Sequence, residues 1–195
     1  NEKPQDAIAL YLRGLAHFRQ GNTELAIRDI EKSSDLGLSM VEVMANRSYV
    51  SLKIEDSLKA RSDLLAALSN SPENPLINTY YGELQMSDGN YASALIYLEN
   101  ANILDPELGL AYLVRSKIYM ALGWAPSAKE VFDSSPRLNL PTAGDYVDRA
   151  EIYAVLEDYS LAFLDLDEAI RINPNQAAYY NARARAYANF NDLQS

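Results

Sequence analysis

The feature that most constrains this sequence is an internal repeat with a period of 34 residues. One column of the repeat is alanine in every copy: Ala26, Ala60, Ala94, Ala128 and Ala162. Two further columns accept only small residues, and they consist of Gly14, Ser48, Gly82, Ser116, Ala150 and Ala184, and of Ser33, Ala67, Ala101, Ser135 and Ala169. Such columns indicate that two helices approach closely, because a larger side chain would clash there. The chain is therefore predicted to stack similar pairs of helices.

The clearest copy of the repeat runs from Pro75 to Leu108. Gly89-Asn90 interrupts a helical run that contains Gly82, and Asp105-Pro106 ends the next run. With its small residues and closing proline, this pattern resembles the tetratricopeptide repeat, a helix-turn-helix of 34 residues. The resemblance covers residues 7–195. It implies an all-α, right-handed superhelical solenoid of antiparallel helix hairpins, with five full repeats and one extra helix.

The repeat divides the chain into a lead-in and one continuous solenoid. Residues 1–6 are predicted to be a flexible lead-in that ends with Asp6 as a helix N-cap. The repeats are predicted at 7–40, 41–74, 75–108, 109–142 and 143–176, with a partial repeat at 177–195. Helices are expected at 7–20, 23–35, 40–53, 56–69, 74–87, 91–103, 108–121, 125–134, 143–155, 159–171 and 176–189. Because no helix follows the last one, Tyr180 and Tyr187 should be partly uncovered, which offers a surface for self-association.

The fourth repeat departs from the pattern. Its second helix begins at Ala125-Pro126, and Pro136 stops it early because proline removes a helical hydrogen bond. Residues 136–142 are therefore predicted to form a longer, irregular connection. Two interpretations stay open: a harmless degenerate repeat, or a kink that reshapes the groove or makes an outer contact.

Two columns of the repeat vary together. One column lies in the first helix of each pair and reads Arg13, Arg47, Tyr81, Arg115, Arg149 and Arg183. The other lies in the second helix and reads Asp29, Asp63, Tyr97, Val131 and Asp165. We predict an ion pair between the two helices of a hairpin wherever arginine meets aspartate, and we assign these residues to the scaffold.

The composition narrows the classes of function. The 195 residues carry a net charge of −10 and include no cysteine, so disulfides, cysteine-ligated zinc and a thiol nucleophile are excluded. No glycine-rich phosphate loop is present, and the single histidine, His17, lies in a packing column without a nucleophile or metal ligand in register. No catalytic residue, cofactor or metal is predicted. The acidic charge disfavours binding of nucleic acid, although an RNA-binding solenoid stays an alternative.

The sequence constrains the compartment less. No apolar run is long enough to span a membrane. The chain begins at Asn1 without methionine, so we expect a fragment or a processed protein. A cytoplasmic location is favoured, and an exported or periplasmic one is left open.

In the tetratricopeptide family the first helices line a concave groove that holds a peptide or a partner helix. By resemblance, the predicted groove residues are Tyr11, Leu15, Phe18, Tyr49, Leu52, Met86, Leu113, Lys117 and Met120. The lysines and asparagines with which some members clamp a terminal carboxylate are absent at the matching positions. The function predicted is therefore a non-catalytic scaffold that binds a peptide or amphipathic helix of a partner protein. The alternative is a regulatory or targeting arm of a larger enzyme or assembly.

Overall fold

A computed structural model describes residues 4–38, 41–54, 56–134 and 139–192 of the chain. Within these ranges the chain forms eleven α-helices and no strand. The helices are α1 (Pro4–Arg19), α2 (Thr23–Asp35), α3 (Val41–Lys53), α4 (Ser57–Asn70), α5 (Pro75–Ser87), α6 (Tyr91–Leu104), α7 (Gly109–Ala121), α8 (Ala125–Ser134), α9 (Ala143–Val155), α10 (Tyr159–Ile172) and α11 (Ala177–Asp192). The helices pack in consecutive pairs, and the first helices of successive pairs also contact one another, so the predicted all-α solenoid is confirmed.

All eleven predicted helices are present, with ends within three residues of the predicted positions. The largest difference at the start of the chain is in α1, which begins at Pro4, so the predicted lead-in of residues 1–6 is wrong for residues 4–6. Proline suits the first helical turn, where its missing N–H has no partner to lose. Asp6 therefore lies inside that first turn, where a carboxylate favours the positive end of the helix dipole, and is not an N-cap.

The small-residue columns lie where paired helices touch. A Cβ added to Gly82 would lie 2.7 Å from Cγ of Leu98, and one added to Gly14 would lie 2.8 Å from Cγ1 of Ile30. These distances are shorter than any ordinary contact between carbon atoms, so the glycine sets the separation of the two helices in each pair. The prediction of close helix approach is confirmed at both positions.

Left-handed residues end the first helix of several hairpins. Gly89 has a φ of +78°, a conformation that glycine adopts without steric cost. The fifth hairpin uses Glu157 in the same column of the repeat, with a φ of 62°. The turn geometry is thus retained even where glycine is replaced.

The predicted ion pairs are confirmed. Each pair is bidentate, with Nε and Nη2 of the arginine donating to the two carboxylate oxygens over 2.6 to 2.8 Å, in Arg13–Asp29, Arg47–Asp63 and Arg149–Asp165. The central hairpin replaces the pair with Tyr81 and Tyr97, whose ring centroids are 4.7 Å apart. Arg115, which faces Val131 in the repeat, donates instead to Oδ1 of Asn102 over 3.1 Å.

The fourth hairpin has the shortened second helix that its prolines predict. Helix α8 spans ten residues and ends at Ser134. The predicted stop at Pro136 lies outside the described residues. Residues 139–142 are described and are not helical, and the side chain of Leu140 is buried among them. The connection therefore contributes to the core of the protein.

The solenoid curls until its first hairpin meets the connection after α10. The side-chain amide of Asn173 donates to the backbone carbonyl of Gln20 over 2.7 Å. At the other limit of the stack, Tyr180 and Tyr187 on α11 are 41% and 49% exposed, as expected from the sequence. Self-association through this face stays a prediction.

Candidate partner-binding groove

Aromatic side chains fill the centre of the concave side. The ring of Tyr49 stacks on that of Tyr80 with centroids 4.2 Å apart, and Phe18 meets Tyr49 edge-on at 5.3 Å. Three predicted groove residues, Phe18, Tyr49 and Leu113, are thus buried in the core, and Tyr49 is 0% exposed. The expectation that they form an exposed stripe is wrong, because the solenoid curls tightly enough for inward side chains to pack on one another.

A charged cluster lies beside the aromatic stack. The ammonium of Lys53 on α3 donates to Glu83 on α5 and to Asp145 on α9, each over 3.0 Å. The hydroxyl of Tyr49 also donates to Asp145, at 3.0 Å from Oδ1. Asp145 in turn accepts from the backbone N–H and the hydroxyl of Thr142, its partner in a capping box. One buried carboxylate therefore joins α9 to a helix almost a hundred residues earlier.

The environment determines the charge states in this cluster. Burial lowers the pKa of Lys53, but the carboxylates of Glu83 and Asp145 outweigh burial and raise the pKa above the ordinary lysine value. Burial raises the pKa of Tyr49 well above that of free tyrosine, and the neighbouring carboxylates raise it further. Lys53 is therefore charged and Tyr49 neutral at physiological pH, so each donates a hydrogen bond to Asp145.

A cavity of about 540 Å³ opens on the other side of the stack. Most of its lining is apolar: Leu12, Leu15, Phe18, Leu76, Tyr80, Leu108, Leu110, Leu140 and Pro141. Among the described residues, Arg19 is the only charged side chain in the lining, and Asn46 and Asn139 are polar. Helices α1, α3, α5 and α7 all contribute, together with the connection before α9. The cavity can hold one or two apolar side chains of a partner.

The remaining predicted groove residues do not all share this cavity. Lys117 and Met120 line a second cavity of about 290 Å³ between α7 and α9, where Lys117 donates to Asp148 over 2.6 Å. Tyr11, Leu52 and Met86 are half-buried against the core. Only Leu15 and Phe18 of the predicted set line the larger cavity.

Sequence reasoning missed one column of the repeat. Leu12, Asn46 and Tyr80 are spaced by 34 residues, lie in successive first helices and all line the larger cavity. Leu140 and Pro141 were missed as site residues as well. A signal for these two is present in the sequence, because they lie in the irregular connection that could reshape the groove.

The described residues carry no sign of other chemistry. Among them, no three histidine, aspartate or glutamate side chains come together as a metal site would require. Within the same ranges, no helix combines the length and the apolar character needed to cross a membrane.

Comparison with known proteins identifies the fold. The sequence profile of a family described as "Tetratricopeptide repeat" matches residues 1–34 and 50–109. No curated protein matches the chain by sequence. Among solved structures, a thermophilic tetratricopeptide-repeat protein of Thermus thermophilus aligns with a TM-score of 0.72 and 16% identity, over 93% of this chain and 99% of its own.

Two further structures are similar. Pseudomonas aeruginosa PilF aligns with a TM-score of 0.58 and 21% identity, over 97% of this chain and 86% of its own. The first tetratricopeptide domain of Spaghetti (RPAP3), solved with an HSP90 peptide, aligns with a TM-score of 0.53 and 22% identity, over 62% of this chain and 96% of its own. At these identities the likeness concerns the fold. Together with the profile match and the 34-residue period, it shows that the repeats of this chain are tetratricopeptide repeats.

Proposed function

We propose that this protein is a non-catalytic scaffold that binds a short segment of a partner protein in the larger concave cavity. The observation that carries the proposal is the apolar lining, to which four successive first helices contribute. Leu12 in this lining is exposed, although a leucine at that position gains nothing from contact with water. The domain of Spaghetti solved with an HSP90 peptide has the same fold, which supports peptide binding as the class of function.

The size of the cavity limits the partner segment. A volume of about 540 Å³ lies within the usual range for ligand sites, but it accommodates only one or two large side chains. The inner stack of Phe18, Tyr49 and Tyr80 closes the cavity from below. The ligand in this proposal is therefore a short segment anchored by one apolar residue, and not a helix laid along the whole concave face.

A capture experiment tests this proposal. The wild-type chain and a Leu12→Asp variant are immobilised, and proteins bound from a lysate of the source organism are quantified by mass spectrometry. Leu12 is exposed, so the variant should fold, while the new carboxylate is unfavourable beside an apolar ligand. Partners should fall by about tenfold or more, which corresponds to about 1.4 kcal/mol of binding energy.

Leu58→Asp is the matched control, because Leu58 is an equally simple exposed leucine on α4, away from the cavity. If both variants retain the partners of the wild type in equal amounts, the cavity is not the binding site. The identity of the retained partners also distinguishes a free-standing scaffold from a regulatory or targeting arm of a larger assembly.

A further inference from the structure

We infer that residues 139–142 are an intramolecular plug, which a partner segment of similar chemistry must displace before it can occupy the concave cavity. The plug is the part of the fourth hairpin where α8 has already ended and α9 has not begun. The inference rests on the proposed function, since it concerns the same cavity. It adds a competitor within the chain and a chemistry for the ligand.

The first argument is burial in an unusual place. Connections between helices normally lie at the surface, because their backbone groups need water or partners. Leu140 belongs to a connection, yet its side chain is only 5% exposed. Asn139, Leu140 and Pro141 separate the cavity of about 540 Å³ from a smaller one of about 260 Å³, since these three residues line both. Removal of the plug would therefore join two cavities into one longer groove.

The second argument is the weak attachment of the plug. Its only hydrogen bond before Thr142, among the described residues, is the one that the N–H of Leu140 donates to the Tyr146 hydroxyl over 3.2 Å. Apolar contacts provide the rest of its attachment. A segment with so few hydrogen bonds can leave its site at low cost compared with a helix.

The third argument is the firm anchor that follows. Thr142 donates to Asp145 through both its N–H and its hydroxyl, and Asp145 is held by Tyr49 and Lys53 of α3. This anchor ties the start of α9 to the far side of the solenoid. The plug can therefore swing away at Thr142 while the helices that form the cavity stay in place.

The plug also indicates the chemistry of its competitor. The ring of Pro141 restricts Leu140 to extended backbone conformations, so the cavity accepts a leucine from an extended strand. Among the described residues, the lining offers no acidic side chain to a cationic ligand. We therefore assign the cavity to an extended, uncharged segment that carries leucine followed by proline.

A peptide titration tests the plug. The probe is a synthetic peptide with the sequence of residues 139–142 between two glycines, blocked at both ends, and a control peptide carries aspartate in place of leucine. Binding is measured by two-dimensional NMR to the wild type and to Leu140→Ala, whose shortened side chain vacates the cavity. Leu140→Ala should bind the probe about tenfold more tightly, because a site occupied nine-tenths of the time loses tenfold in apparent affinity. Leu12→Asp should abolish binding, and Leu58→Asp should not change it.

The outcomes separate the plug from the proposed function. Equal affinities for wild type and Leu140→Ala, both lost in Leu12→Asp, would support a binding cavity and overturn the plug. No binding of the probe to any variant would also overturn the plug and its ligand chemistry, whereas the capture experiment, which uses no peptide, would still decide the proposed function.

A second measurement covers the case in which Leu140→Ala does not fold, as judged from its helical circular dichroism. In the wild type, a saturating amount of the probe should accelerate hydrogen exchange at the Leu140 amide, because displacement removes its bond to Tyr146. Unchanged or slower exchange at this amide would contradict displacement.

Discussion

At the scale of single residues, the ion pairs within the hairpins share one geometry but not one environment. The side chain of Arg149 is 6% exposed, whereas that of Arg13 is 61% exposed. The aspartate partner is buried in both pairs. An exposed guanidinium regains water when its partner is lost, but a buried one does not. Equal bonds should therefore have unequal consequences for stability.

Asp165→Ala should lower the free energy of unfolding by about 3–5 kcal/mol, because it leaves the charge of Arg149 buried. Asp29→Ala should cause a clearly smaller loss, since Arg13 can turn into solvent. Urea unfolding followed by circular dichroism measures both values. The double variant Arg149→Met with Asp165→Leu should recover most of the loss, because no charge then needs solvation. Equal losses for the two single variants would contradict this account.

At the scale of the helix pair, one small residue determines how closely the two axes approach. The backbone of α5 at Gly82 contacts Leu98 of α6 so tightly that no Cβ fits without displacement. Gly144, in the first turn of α9, has open surroundings, since an added Cβ would meet only the Thr142 hydroxyl at 3.6 Å. The two glycines therefore have different reasons for their presence.

Gly82→Ala should destabilise the protein by about 1–3 kcal/mol, because overpacking outweighs the better helix propensity of alanine. Gly144→Ala is the matched control and should be neutral or stabilising by up to about 1 kcal/mol. Thermal unfolding of the two variants and the wild type measures the difference. A stabilised Gly82→Ala variant would show that α5 and α6 can separate without cost.

At the scale of the whole molecule, the solenoid is held together by contacts that skip several repeats. Repeat proteins usually contact only their neighbours, and their stability is a sum of local terms. Here Lys53 and Tyr49 bind Asp145, and Asn173 binds Gln20. These bonds join the first half of the chain to the second, so we expect the repeats to unfold together.

Lys53→Met should cost about 3–5 kcal/mol, because it leaves the carboxylates of Glu83 and Asp145 buried without their cation. It should also broaden the urea transition or split it, since the two halves of the solenoid lose a shared bond. Lys117→Met is the matched control. Its partner Asp148 is a partly exposed neighbour, so the cost should be about 0–1 kcal/mol.

The same variant has a defined dependence on pH. Because the pKa of Lys53 is raised in the folded protein, its contribution is complete below the ordinary value of 10.5 and decreases as pH rises through the folded value. The difference in stability between wild type and Lys53→Met should therefore stay constant from about pH 7 to about pH 10. A difference that decreases within this range would contradict the assigned charge state.

Repeats, helix ends and hairpin ion pairs could all be read from the sequence, and the reason is that each depends on neighbours within one period. Gly82 meets Leu98, and Arg47 meets Asp63, sixteen residues along the chain in both cases. The face of the groove could not be read in the same way. Each repeat adds a small rotation, and only the sum of these rotations decides how tightly the solenoid curls. That curl buries Tyr49 against Asp145 and places Leu140 in the concave cavity, because contacts between distant repeats leave no periodic trace in the sequence.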